Sequence, residues 1–423
     1  MLNSTYKVFF FLSVSLLFSG CQKSDDPSDG IQEISQVKIL GDWNVANSHT
    51  VVAGNGVYIL LFSDVESQYI AKLMTNEGAE LWTKNISEET GLIASEESLA
   101  IEEGLYDTDG TFVFFSHRRL FKIDLQGEVV YDNPDFLSAF SSGVSFISIL
   151  NAFVTSDGGY LVTGSIRVGT GNTRAYYTKY SKEGDVIFSK TYFIDTGGNM
   201  GITGAVEQDG FYMLGGYYSV TSGTGNNQFY LLKISSSGKL VWAQNHSTLS
   251  TDFFYPFSYE AILGRELIPL ANEQTMYIMV PPNEFMADRR SKGFILDETG
   301  AVVDSIFFDL SDSNAAGGAH PGIGKGIVQT NENCFVGIIN PIASIEGTVL
   351  PNEINVPINY EIPNFGYVYT IDAFGRIEDM KYVNRSLSNT FTAIALLSNG
   401  NTLIFGVQAS INNEVRLILI TNK

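Results

Sequence analysis

One unit recurs along most of this chain, and it limits the folds open to it. The clearest copy, Thr155 to Phe193, reads TSDGGYLVTGSIRVGTGNTRAYYTKYSKEGDVIFSKTYF. Leu161, Thr163 and Ser165 alternate with Val162 and Gly164, and Tyr176, Thr178 and Tyr180 alternate with Tyr177 and Lys179. Period two in β-branched and aromatic residues specifies strands. Asp157-Gly158 and Glu183-Gly184 supply hairpin turns, where glycine accepts the positive φ that such turns need. With Ile149 to Thr155 leading in, one unit is a four-stranded antiparallel meander, A to D.

The A–B turn recurs at Asn55-Gly56, Asp109-Gly110, Asp157-Gly158, Asp209-Gly210, near Glu273-Gln274, near Glu332-Asn333 and at Asn399-Gly400. The C–D turn recurs at Gly78, Gly127, Gly184, Gly238, Gly300 and Gly375. Four residues on stand Trp82, Tyr131, Phe188, Trp242, Asp304 and Asp379, and five residues before, Lys122, Lys179 and Lys233 repeat. Successive C–D glycines lie roughly 50 to 75 residues apart, at or beyond the long end of propeller periods. The last unit ends after strand C at EVRLILITNK, and Glu33 to Leu40 (EISQVKIL) has no partner of its own. Placing that stretch in the vacant D position closes the ring and protects its edges. The expected fold is therefore an all-β, seven-bladed β-propeller spanning residues 31–423, with six or eight blades as the other counts.

The first 20 residues read as a secretory signal: Lys7, an apolar run from Val8 to Phe18, then Ser19-Gly20-Cys21. The small-small-Cys ending resembles the lipobox of bacterial lipoproteins, which implies acylation of Cys21. Phe18 stands where that family usually has Leu. Residues 21–30 are polar, acidic and proline-containing, the composition of a flexible tether. Their acidic cluster behind Cys21 resembles the surface-export signal of Bacteroidota-type lipoproteins. Together these imply a lipid-anchored outer-membrane protein exposed at the cell surface.

The net charge of −21 argues against nucleic acid as a partner, because no basic stripe displaces phosphate counterions. No loop has the ligand spacing of a calcium site, no histidine pair has zinc spacing, and no nucleophile elbow or phosphate loop occurs. No cofactor, metal or catalytic residue is expected, and the chain reads as a non-enzyme. Cys334, in the apolar stretch NCFVGII, reads as a small core residue, and no disulfide is expected in the mature chain.

In a four-stranded meander the A–B and C–D turns leave one face, and the B–C loops and D–A links leave the other. The long connections fall on the second face: Arg167–Arg174, Ser219–Asn227, Pro281–Ser291 and Asn340–Asn364 as B–C loops, with Asn133–Ser145, Asn245–Leu263 and Ser311–Gly324 as links. Long connections in a compact domain signal function or disorder, and the working face is expected to be this one. The candidate ligand-binding residues there are Arg167, Asn172, Arg174, Asn226, Asn227, Phe253, Phe254, Tyr255, Tyr259, Arg289, Arg290 and His320. Aromatic platforms with amide and guanidinium donors suit a glycan or an envelope protein as partner.

The repeats resemble those of quinoprotein-like and WD40-like propellers, carried by NEGAELW at Asn76–Trp82 and SSGKLVW at Ser236–Trp242. In that family a glycine and a docking tryptophan tie neighbouring blades together. Two of the six units here keep the tryptophan. The resemblance implies the scaffold and two alternative roles: a scaffold subunit of an outer-membrane complex, as in a lipoprotein of the outer-membrane-protein assembly machinery, or a quinoprotein-like or polysaccharide-cleaving enzyme. Fold alone does not choose among them.

Overall fold

The computed structural model describes residues 32–34, 37–43, 45–64, 68–92, 101–116, 119–134, 136, 140, 143–194, 198–219, 227–246, 264–279, 292–307, 327–330, 334–339, 367–383, 389–397, 402–408 and 415–420. They form strands almost throughout. Two short strands come first, β1 (Gln32–Ile34) and β2 (Val37–Trp43). The first meander is β3 (Val45–Gly54), β4 (Val57–Asp64), β5 (Tyr69–Thr75) and β6 (Glu80–Asn85), followed by the single-turn helix α1 (Ile86–Thr90). The second is β7 (Ile101–Tyr106), β8 (Phe112–Ser116), β9 (Leu120–Ile123) and β10 (Val129–Asn133). The third is β11 (Val144–Val154), β12 (Tyr160–Val168), β13 (Arg174–Tyr180) and β14 (Val186–Tyr192). The fourth is β15 (Met200–Gln208), β16 (Phe211–Ser219), β17 (Asn227–Ser235) and β18 (Leu240–His246). The fifth is β19 (Gly264–Pro269), β20 (Thr275–Met279), β21 (Lys292–Leu296) and β22 (Val302–Phe307). Then come β23 (Ile327–Gln329), β24 (Phe335–Ile339), β25 (Tyr367–Ile371) and β26 (Ile377–Val383), and last β27 (Asn389–Leu396), β28 (Thr402–Gln408) and β29 (Val415–Ile420).

These strands make six four-stranded sheets and one five-stranded sheet. Each A strand sits innermost: β7 lies against β3 and β11, β15 against β11 and β19, and β27 against β3 and β23. The sheets of β19 and β23 meet through Ile268, Ile295, Phe335 and Tyr369. The fold is an all-β propeller of four-stranded antiparallel blades. Its N-terminal closure is divided. Val37 to Ile39 pair antiparallel with Ile420 to Ile418, so β2 takes the D position beside β29. Glu33 and Ile34, expected in the same strand, instead run parallel to β26 as part of β1, the fifth strand of its sheet.

Turn chemistry places the meanders. Asn55-Gly56 and Asp209-Gly210 have positive φ at both residues, the geometry of a two-residue hairpin turn. At the fifth meander the left-handed residues are Asn272 and Glu273, one position earlier than expected. The turns expected near Glu332 and at Asn399-Gly400 lie outside the described residues.

Inner strands do not keep the half-buried alternation suggested by their sequence. Every residue of β8 and β9 is buried, because each blade is covered on both faces by its neighbours. The D strands β14 and β18 are mostly exposed. What they half-bury is the repeated aromatic. Trp82 packs on Gly127, Tyr131 on Gly184, Phe188 on Gly238 and Trp242 on Gly300, each glycine belonging to the next blade. The tie continues beyond the two tryptophans, with Tyr131 and Phe188 serving the same purpose. It lapses at Gly375, which meets Ile295 and Leu270 instead.

The repeated lysines form a second tie. Lys122 Nζ donates to Asp107 Oδ2 at 3.1 Å and to the Lys182 carbonyl at 3.1 Å, and the Tyr160 hydroxyl of the next blade donates to the same Asp107 oxygen. One blade on, Lys179 Nζ donates to Thr155 and Asp157 of its own A–B turn and reaches the Tyr212 hydroxyl of the following blade at 3.3 Å. Burying an ammonium is costly unless it is paired and hydrogen-bonded, and here each lysine fastens one A–B turn to its neighbour. Cys334 is buried, as expected, but it is disulfide-bonded, which corrects the expectation of a thiol.

Candidate functional site

At the B–C end of the third blade, four strand ends converge. Phe146 pairs with Arg167 across β11 and β12, so both side chains leave the same side of the sheet. Ile166 pairs with Arg174, and Ala175 with Tyr192, which sets Phe193 beside Arg174 on the other side. The Arg167 guanidinium carbon lies 5.6 Å from the Phe146 ring centroid, and that of Arg174 lies 5.1 Å from the Phe193 centroid. These are cation–π distances. Phe146 and Phe193 are 40% and 42% exposed and Val168 is 47% exposed, so the rings are presented rather than buried. Arg167 Nε is buried, with no hydrogen-bond partner among the described residues.

The loop between the two arginines is fixed. The Gly169 N–H donates to the Gly143 carbonyl at 2.9 Å, and Ser145 Oγ donates to the Gly169 carbonyl at 2.6 Å. Thr173 donates through its N–H to Asn199 Oδ1 at 2.9 Å and through its hydroxyl to the Met200 carbonyl at 3.1 Å. The exposed Asn172 lies between these anchors. Two guanidinium–ring pairs and an amide therefore sit on a short, braced edge.

Arg167 and Arg174 thus stand at the same B–C end of the third blade but on opposite faces of its sheet, with Asn172 in the short loop between them. The structure also shortens the expected loop, since Arg167 belongs to β12 and Arg174 to β13, and Asn227 opens β17 rather than lying in a loop. Asn226, Phe253, Phe254, Tyr255, Tyr259, Arg289, Arg290, His320 and Cys21 lie outside the described residues. Phe146 and Phe193 were not among the expected site residues. The signal that could have found them is an aromatic at a strand end, in register with an arginine across the hairpin.

The preceding link is packed down on the blades. The Phe136 ring stacks on Tyr180 at 4.1 Å, its carbonyl accepts the Tyr180 hydroxyl at 3.2 Å, and Phe140 meets Tyr176 edge-on at 4.9 Å. On the fourth blade, His246 lies flat on Phe229 at 4.5 Å, with its Nε2 buried and unpartnered among the described residues. Burial lowers the His246 pKa, partly offset by a backbone contact with Gly300.

A cavity of about 320 Å³ lies at the opposite end of the axis. Its walls come from the last residues of the A strands β3, β7, β11, β23 and β27, next to the A–B turns. The sequence had directed attention to the other face.

No family model matches this chain, and no curated protein matches it. Solved structures similar to it include a protein of unknown function from Bacteroides caccae, at 10% identity over 81% of this chain and 98% of that one, with a TM-score of 0.41. The Neurospora crassa Pan2 WD40 domain is similar at 8% identity over 93% and 98%, with a TM-score of 0.47. The β-propeller domain of the Trilobed protease from Pyrococcus furiosus is similar at 8% identity over 88% and 94%, with a TM-score of 0.45. At such identities and scores, none of them bears on activity.

Proposed function

We propose that this protein is a non-catalytic, lipid-anchored envelope protein whose propeller binds a glycan or an envelope protein through the B–C loop face. The observation that carries this reading is the two ring–guanidinium stacks at the B–C end of the third blade, Phe146 with Arg167 on one face of its sheet and Phe193 with Arg174 on the other, with both rings exposed. A flat aromatic face takes an apolar sugar face or side chain, and the guanidinium beside it donates to hydroxyls or carbonyls. The lipobox-like Ser19-Gly20-Cys21 and the acidic tether support the anchored, surface-exposed setting. The accompanying fold reading is seven blades, supported by the six four-stranded sheets together with the sheet that β1 extends.

The test is cross-linking of the acylated protein in intact cells, with partners and glycans identified by mass spectrometry. Wild type recovers a defined glycan or protein. A variant combining Phe146→Ala and Phe193→Ala recovers at least tenfold less. Equal recovery from the variant, or turnover of a recovered glycan, would sink the proposal.

A further inference from the structure

Four arginines have described side chains, and they divide into two kinds. Arg119 donates through Nε and Nη2 to the Asp132 carboxylate, and Arg376 donates through the same two nitrogens to Asp372. Arg167 and Arg174 meet rings instead, Phe146 and Phe193, and neither has a carboxylate partner among the described residues. Stacking uses the flat face of a guanidinium and leaves its in-plane N–H groups able to donate. Arg167 Nε is in addition buried, with no acceptor among the described residues. A buried donor left unsatisfied is costly, so an acceptor brought by a ligand is stabilising there.

Charge along the third and fourth blades is divided by end. The turn end carries Asp157, Glu183, Asp185, Glu207 and Asp209. The described residues of the loop end are 143–147, 166–174 and 189–194 in the third blade, with 200–203, 216–219, 227–230 and 243–246 in the fourth. None of these is Asp or Glu, whereas Arg167, Arg174 and Lys190 stand among them. The seven residues of β13 separate the two ends, a span of about 20 Å. That is more than twice the Debye length of about 8 Å at physiological salt. The turn carboxylates are therefore screened at the loop end. An anion arriving there meets local positive charge, in spite of the net charge of −21 on the whole chain.

Three kinds of ligand compete for such an edge. A neutral glycan gains the two rings but leaves the guanidiniums to water. A small inorganic anion gains the guanidiniums but leaves the rings uncovered. A chain of uronic acids gains both: its sugar faces cover rings, and a carboxylate takes two parallel N–H bonds from one guanidinium. A polymer also suits two stacks on opposite faces of one sheet, because a single chain crossing the 169–173 loop reaches each of them. We propose that the B–C end of the third blade binds an acidic polysaccharide of the uronate type, with its carboxylates on Arg167 and Arg174 and its sugar faces on Phe146 and Phe193. This rests on the reading of the loop face as the binding face, and it narrows the ligand to an anionic glycan.

The test is titration calorimetry of the full chain in detergent micelles with an oligogalacturonate, its methyl ester, and poly-glutamate of similar length. The oligogalacturonate binds at least tenfold more tightly than the neutral ester and than poly-glutamate, and its affinity falls as salt rises. Arg167→Gln and Arg174→Gln each weaken the acid form at least fivefold and leave the ester unchanged. Equal affinity for acid and ester overturns the proposal, while the wider reading of the face as a glycan site survives. Poly-glutamate binding as tightly as the oligogalacturonate overturns it in favour of an acidic protein segment. No binding of any probe overturns it too, and the cross-linking experiment then decides the wider reading by itself. Should Arg167→Gln fail to fold, the exposed Arg174→Gln and the comparison of acid with ester still decide.

Discussion

The indole Nε1 of Trp82 donates a 2.9 Å hydrogen bond to the carbonyl of Leu125, across the boundary between the first and second blades. The same ring lies 3.0 Å from where a Cβ on Gly127 would stand. One side chain thus bonds the turn ahead of it and reserves the space above that turn's glycine. The D-strand aromatic and the next C–D glycine are two halves of one joint, repeated at four successive blade boundaries from Trp82 to Gly300.

Substitutions at these glycines separate backbone strain from lost space. Gly238 has φ +76°, and an added Cβ would lie 2.7 Å from Phe188. Gly91, the C-cap of α1, has φ +71° with nothing within 4 Å. Gly238→Ala should cost about 2–4 kcal/mol, strain plus overpacking, and Gly91→Ala about 1 kcal/mol, strain alone. Urea midpoints of the two variants check the order.

The Lys122–Asp107–Tyr160 tie should respond unequally to removal of its members. Side chains of Lys122 and Asp107 are 7% and 0% exposed. Tyr160→Phe removes one donor to a buried carboxylate and should cost about 1–3 kcal/mol. Lys122→Met leaves that carboxylate without its ammonium and should cost about 3–5 kcal/mol. A double-mutant cycle should give a combined loss smaller than the sum, because both act on Asp107.

Acidification should act in two windows. Burial lowers the His246 pKa below its usual 6.5, so the unfolded chain takes up the proton first. Stability from this group is full above about pH 6.5 and falls as pH drops below it. The Asp157 carboxyl, at about 2 in the fold against 3.8, contributes above about pH 4 and loses that contribution as pH falls toward 2. Its side chain is 61% exposed, so solvent screening keeps the second effect small. Chemical denaturation from pH 8 to 3 should show both, and His246→Phe should flatten the slope between pH 7 and 5.

The two cysteines make a sharp chemical prediction. Since the chain carries only Cys21 and Cys334, acylation of Cys21 and a disulfide at Cys334 exclude one another. Protein extracted from membranes should carry acyl chains on Cys21, and Cys334, disulfide-bonded in the structure, should there be a free thiol, alkylated once in denaturant without reductant. A requirement for reductant would place the processed chain in the disulfide form and remove the lipid anchor.

Much of the scaffold could be read from the chain because Asp-Gly and Glu-Gly turns leave a backbone signature that aromatic strands merely fill in. The positive φ at Gly78, Gly127, Gly184, Gly238, Gly300 and Gly375 follows that reading at every C–D turn. Less could be read where the signal is relational. Lys122 was visible as a repeat, but its use depends on Tyr160, which belongs to another blade. Asp304 keeps its place in the repeat, and its Oδ1 accepts the Ser305 N–H at 2.7 Å. Phe146 and Phe193 gain meaning only when register sets them beside Arg167 and Arg174.

The pairing of Val37 with Ile420 joins almost the first described residue to the last. During synthesis, the strand made first has no β29 to pair with until the rest of the chain has been made. A chain cut short anywhere before β29 leaves two open sheet edges, each able to pair with another chain. Closure thus works as a length check: copies that stop short of β29 carry adhesive edges, and only a chain that includes β29 conceals them.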